Sequence, residues 1–154
     1  MADNTLSLYR DAILEHARNP RNAVPVADPQ RRARASNPLC GDELELTLAL
    51  DGATEAEPER IRAIGIQVRG CAVAQASASL MSEAVQGRSL AEATRLGEAF
   101  RQVMSGERAD LPPALESLRP LESVRQHRSR IACTLLPWTA LRSAADDPGE
   151  KAKA

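Results

Sequence analysis

Leu44, Leu46, Leu48 and Leu50 fall on alternate positions of Glu43–Leu50, the two-residue period of a half-buried strand. Ile64, Ile66 and Val68 repeat that period in Ile61–Val68. The polar stretch Asp51–Glu59 between them predicts a turn, so the two strands pair antiparallel. Residues 21–39 carry proline and charge without a clean period and read as a long loop with one edge strand.

Helical spacing dominates elsewhere. Leu6, Tyr9, Ile13, Leu14 and Ala17 share one face of a first helix, capped at Asn4 or Thr5. It ends at Asn19-Pro20, because the residue before a proline is pushed out of the helical region. Gly70 breaks the second strand, and the run after Cys71 predicts a helix closed by Gly87. Ser89-Leu90-Ala91-Glu92 is a capping box that opens a third helix, with Leu90, Ala93, Leu96, Phe100 and Met104 inward and Gly106 at its end. Leu111-Pro112-Pro113 forces a turn, and Leu115, Leu118, Leu121 and Val124 suggest a short helix interrupted at Pro120. Pro137 is tolerable only in a first turn, which places the start of the last helix close to Cys133 and its end near Ala144.

These elements predict an α+β fold: a small antiparallel three-stranded sheet with helices packed on one side. The chain is expected to form one domain over residues 1–145, with residues 146–154 a disordered tail.

Composition narrows the function. Hydrophobic residues make up 43% and charged residues 27%, as in soluble globular proteins. Tyr9, Phe100 and Trp138 are the aromatic residues, so the core is aliphatic and alanine-rich. A net charge of −1 argues against nucleic acid or an anionic membrane as partner. The basic clusters Arg31–Arg34 and Arg125–Arg130 read as solvated faces. No stretch approaches a membrane span, and the N-terminal residues lack the basic and apolar regions of a signal peptide. The expectation is a cytoplasmic protein, where an odd set of three cysteines suits metal binding or catalysis better than disulfides.

Cys40, Asp42, Cys71 and Cys133 each sit where an element begins or ends. Helix starts favour thiolate over thiol, which applies to Cys71 and, on the reading above, to Cys133. Three soft thiolates with one carboxylate suit tetrahedral zinc, or iron in a cluster. Spacing alone leaves small buried hydrophobes as the competing reading, because no CxxC pair occurs. His16, on the exposed side of the first helix, and His127, in a polar stretch six residues before Cys133, read as solvent-facing.

The segments around the cysteines add a resemblance. Asn37-Pro38-Leu39-Cys40-Gly41-Asp42, then Gly70-Cys71 with the Ala/Ser-rich run to Met81, then Arg130-Ile131-Ala132-Cys133 resemble the IscU/SufU/NifU N-terminal family. The opening Leu8-Tyr9-Arg10-Asp11 and Asn19-Pro20-Arg21-Asn22 are similar to it too, so the resemblance runs from about Leu6 to Leu141. The long segment 72–132 before the last cysteine resembles the SufU branch, and Ala132 stands where IscU-type scaffolds carry histidine. The chain departs from SufU-like sequences at Ala132, where they usually have lysine, and at His127-Arg128, where they often have Phe-Pro.

The resemblance implies that Cys40, Asp42, Cys71 and Cys133 bind zinc, and that Cys40, on a loop free to swing, accepts sulfur. It implies a zinc-dependent sulfurtransferase of iron–sulfur cluster assembly, taking persulfide sulfur from a SufS-type cysteine desulfurase for a SufB-containing assembly complex. Arg130 matches a family arginine that stabilises the thiolate by charge or is simply exposed. Two other readings stay open: a scaffold assembling a [2Fe–2S] cluster on the same residues, and a zinc that only stabilises the fold. Leu111-Pro112-Pro113 lies inside the inserted segment and reads as an ordinary turn.

Overall fold

Three strands, β1 (Arg31–Asn37), β2 (Asp42–Asp51) and β3 (Arg60–Arg69), pair antiparallel in the order β1-β2-β3. They are seen in a computed structural model that describes residues 2–52 and 58–146, with side chains from Ser7 onward. The leucine alternation sets the register: Leu46 lies between Ala33 and Ile66, and Leu48 between Arg31 and Ile64. This puts the apolar side chains of all three strands on one face. The β2–β3 register shifts between Ala49 and Leu50, and β2 is buried on both faces from Leu46 to Leu50. The predicted edge strand within residues 21–39 is β1.

The helices are α1 (Ala2–Arg18), α2 (Ala72–Val85), α3 (Leu90–Ser105) and α4 (Arg128–Asp146), with a 3₁₀ segment at Pro113–Gln126. Helix α4 packs on β1 and β2, α2 packs on β3, and α1 lies against α2. The small residues of α2 make this possible: Ala74, Ala76, Ser77, Ala78, Ser79 and Ser82 are all buried. Ser77 Oγ donates to the carbonyl of Thr134 at 2.6 Å, holding α2 against α4. The long segment before the last cysteine builds α3 and the 3₁₀ segment, and both bury their apolar sides in the common core. Leu90, Ala93, Phe100 and Met104 point inward as their spacing predicts, and the Phe100 ring meets Trp138 at 5.8 Å. Ser89 caps α3 by accepting from the Glu92 N–H at 3.0 Å, while the Glu92 carboxylate binds Arg88, so half of the predicted capping box forms.

Five expectations are corrected. Arg31, in a basic cluster expected to be a solvated face, is buried and donates to the Ala144 carbonyl of α4 at 2.8 Å. Helix α1 begins at Ala2, ahead of Asn4 and Thr5. His16 is half-buried, not on an exposed face: its Nδ1 lies 2.7 Å from Ser79 Oγ because α1 packs on the serine-bearing side of α2. The helix expected to be interrupted at Pro120 is instead interrupted at Leu115, where two short 3₁₀ pieces meet at a kink, and Pro120 lies inside the second piece. Helix α4 starts at Arg128, five residues before Cys133, and Pro137 lies in its interior. Pro137 has no N–H for the carbonyl of Cys133. Burial of Leu136, Trp138, Ala140, Leu141 and Ala144 carries the helix through that loss. The predicted tail beyond Asp146, and most of the Asp51–Glu59 turn, lie outside the described residues.

Candidate metal centre

The centre forms where the β1–β2 hairpin, the β3–α2 junction and the second turn of α4 converge. Asn37 ends β1 and faces Asp42 across the ladder, so residues 38–41 make the hairpin loop. Gly41 takes a left-handed conformation (φ 72°), which a side chain would strain. The Cys40 N–H donates to the Asn37 carbonyl at 3.1 Å, and the Leu39 N–H donates to Asn37 Oδ1 at 3.3 Å. This folds the loop back over its own strand and leaves the Cys40 residue exposed and Leu39 93% exposed.

Asp42 and Cys133 lie beneath, both 0% exposed. The ligand atoms of Cys40, Asp42 and Cys133 lie within 4.8 Å of one another. The Asp42 carboxylate accepts the Cys71 N–H at Oδ1 (2.9 Å), and the Cys71 thiol approaches Oδ2 at 3.8 Å. Cys71 thus stands beside the tight triple through Asp42. It is the N-cap of α2, and its Sγ accepts the Ala74 N–H at 3.4 Å, the environment that the strand-to-helix position predicts.

Cys133 does not open its helix, so the helix-start argument for its thiolate fails. Burial, then hydrogen bonding with Asp42, Cys40 and Cys71 and the charge of Cys71, hold its thiol far above the ordinary range. Ser129, one turn earlier, offers its carbonyl to Cys133 at 3.5 Å and to Cys40 at 4.0 Å. Arg130 is exposed, and its guanidinium makes no hydrogen bond or ion pair among the described residues. His127 is exposed at the end of the 3₁₀ segment and stands outside the donor cluster, as its polar surroundings suggest.

The donor set fits a divalent cation. Asp42 is fully buried, yet no ion pair among the described residues involves it. A buried carboxylate beside crowded thiols is costly without a compensating positive charge. A tetrahedral ion with bonds of about 2.3 Å to sulfur draws its ligands to within about 4 Å of each other, a small contraction of the observed cluster.

Sequence reading misses three contributors. Asn37 donates from Nδ2 to Cys133 Sγ at 3.7 Å. The Ser129 carbonyl is invisible to any side-chain pattern. Gly70 is the third: a Cβ built there would overlap the Asp42 carboxylate. Only Asn37 left a signal, since Asn-Pro is turn chemistry just before Cys40.

Comparisons with known proteins show what the whole chain is similar to. The chain is 33% identical over 138 residues to the zinc-dependent sulfurtransferase SufU of Bacillus subtilis (strain 168), covering 90% of this chain and 89% of that protein. It is 30% identical to the iron–sulfur cluster assembly scaffold protein IscU of Streptococcus pyogenes serotype M1, over 89% of this chain and 82% of that one. The crystal structure of a nitrogen-fixing NifU-like protein (N-terminal) from Brucella abortus superposes with a TM-score of 0.77 at 29% identity, covering 92% of this chain and 94% of that chain. Residues 8–151 match the NifU-like N terminal domain, and with the Cys/Asp cluster on its three-stranded sheet the chain belongs to that family.

Proposed function

We propose that this chain serves iron–sulfur cluster assembly as a zinc-dependent sulfurtransferase. The observation that carries the reading is one thiol on an exposed residue, Cys40, set against a buried carboxylate and a buried thiol in a single donor cluster. Cys40, Asp42, Cys71 and Cys133 would hold the metal. Bound zinc supplies the positive charge that keeps buried thiols deprotonated.

Cys40 is the sulfur acceptor. Its thiolate attacks the outer sulfur of a cysteine persulfide on a desulfurase of the SufS type. A new S–S bond forms on Cys40, the donor's S–S bond breaks, and the donor cysteine leaves as thiolate, so no net oxidation occurs. The burial of Cys133 and the capping role of Cys71 favour Cys40 for this role, since neither of the other thiols is as open to a second protein. Leu39 extends the exposed face around it. Arg130, next to the Ser129 carbonyl that touches both Cys40 and Cys133, is the proposed cation for the incoming sulfur. The SufB-containing assembly complex is the proposed acceptor, and the reducing cytoplasm the proposed compartment, in keeping with three free thiols. No helix of the described residues is long and apolar enough to cross a membrane.

The test mixes the protein with desulfurase and cysteine and maps the persulfide by peptide mass. Sulfur is expected on Cys40, and Cys40→Ser is expected to abolish stimulation of the desulfurase. A folded Cys40→Ser variant that keeps full stimulation, with persulfide on Cys71 or Cys133, would falsify the assignment. The similarity to a scaffold protein supports a second reading, assembly of a [2Fe–2S] cluster on the same residues. Protein isolated without added metal decides between them: colourless with one zinc per chain for the first, brown with near-equal iron and sulfide for the second.

A further inference from the structure

Asn37 lies at the point where three parts of the centre meet. Its backbone pairs with Asp42, its carbonyl accepts the Cys40 N–H, and its side chain reaches Cys133. The side chain is used at both ends: Oδ1 accepts the Leu39 N–H at 3.3 Å, and Nδ2 donates to Cys133 Sγ at 3.7 Å. The residue is 8% exposed, so water competes little for either bond. A primary amide has no titration near neutral pH, and its N–H remains a donor whether the sulfur is thiol, thiolate or metal-bound. Cys133 is fully buried, and its other hydrogen-bond partners are acceptors or thiols. Asn37 is the neutral N–H donor that the described contacts give that sulfur.

We infer that Asn37 is a positioning residue of the metal centre: its amide locks the Cys40 loop at one end and fixes and tunes the Cys133 sulfur at the other. Groups that hydrogen-bond to metal ligands orient them, and their loss typically weakens metal binding about 10–100-fold. A donor on a thiolate also withdraws electron density from sulfur, so removing it makes the sulfur a stronger electron donor to the metal. The two ends of the amide can be separated. Asn37→Asp keeps an acceptor for Leu39 and replaces the donor facing Cys133 with an oxygen. Asn37→Ala removes both ends without adding charge. The inference rests on reading Cys40, Asp42, Cys71 and Cys133 as ligands.

The experiment loads wild type, Asn37→Asp and Asn37→Ala with Co²⁺ as the spectroscopic probe. It records the thiolate-to-cobalt charge-transfer band and measures affinity by competition with a chelator. Circular dichroism of the metal-free proteins reports the fold. Both variants are expected to keep helix content, to bind Co²⁺ about 10–100-fold more weakly, and to move the charge-transfer band to longer wavelength. A merely structural role would change the affinity or the stability and leave the band where it is. Folded variants with wild-type affinity and band position overturn the inference. If the buried charge prevents Asn37→Asp from folding, the band position of Asn37→Ala decides alone. A wild-type chain with no thiolate-to-cobalt band overturns the ligand assignment itself, and the inference falls with it.

Discussion

Gly70→Ala is the sharpest single test of how the centre is built. Gly70 is not among the glycines with positive φ, so its backbone suits any residue. What excludes a side chain is space: an added Cβ would overlap the Asp42 carboxylate and come within 3.0 Å of the Asp42 Cα. Asp42 is fully buried and paired to the Cys71 N–H, so it can retreat only by breaking that bond and disturbing its packing. Overpacking of this kind costs about 1–3 kcal/mol. Losing the charge-assisted bond from Cys71 adds about 1.5–3 kcal/mol. The lower chain entropy of alanine in the unfolded state offsets about 0.4–1 kcal/mol. The net expectation is a loss of about 1.5–5.5 kcal/mol, or roughly 3–20 °C in Tm for a domain of this size. Metal affinity should fall as well, because the carboxylate moves with the clash. Gly41→Ala is the control: nothing lies within 4 Å of its added Cβ, and only its φ of 72° is strained. It should cost about 1–2 kcal/mol. Urea unfolding of metal-free protein and a chelator competition measure both effects. Equal stability and equal metal retention in Gly70→Ala and wild type would refute the argument, and so would a larger loss at Gly41.

Arg31 is 6% exposed and ties β1 to the end of α4, donating to the carbonyls of Ala144 (2.8 Å) and Ala145 (3.3 Å) and to Glu59 (2.8 Å). Truncating it leaves those carbonyls without their donor while water can still reach the partly exposed Glu59 carboxylate, so Arg31→Ala should cost about 1.5–3 kcal/mol in urea unfolding. Burial, then Arg21, lower the pKa of His16, against the opposing pull of Glu83 and Glu15. Folding therefore disfavours its protonation: stability is full above the unfolded pKa of about 6.5 and declines as pH falls through that value. His16→Gln should flatten that part of the pH profile, and an unchanged profile would show that His16 is not responsible. Asp42→Ala should release metal to a chelator more readily while circular dichroism shows helix content kept; unchanged retention would remove Asp42 from the ligand set. Gly97→Ala places a Cβ 2.8 Å from Trp138 Cε3, so it should destabilise by about 1–3 kcal/mol and perturb the tryptophan fluorescence.

The sequence by itself determined the sheet and most of the helices, because their signals are local. Alternating leucines in β2 and isoleucines in β3 can bury one face only as strands, and a mispaired register would turn that face to water. The Ser89 cap and the terminal Gly106 of α3 act through neighbours in the chain, so they could be read without the fold. The cysteines and Asp42 were also legible, since their residue types and flanking turns carry the chemistry. Tertiary structure decided the rest. Whether Pro137 starts α4 or lies inside it depends on whether apolar packing against the sheet outweighs one missing hydrogen bond, and no local pattern contains that balance. A helical wheel places His16 toward solvent because it does not contain α2, which brings Ser79 to meet it. The environment of Cys133 followed the same logic: its distance from the start of α4, its burial and its contacts with Asn37 and Ser129 arise from chain segments far apart in sequence or from backbone atoms without a pattern. Gly70 shows the limit most clearly, because the reason for its missing side chain is a carboxylate on the neighbouring strand, 28 positions earlier in the chain.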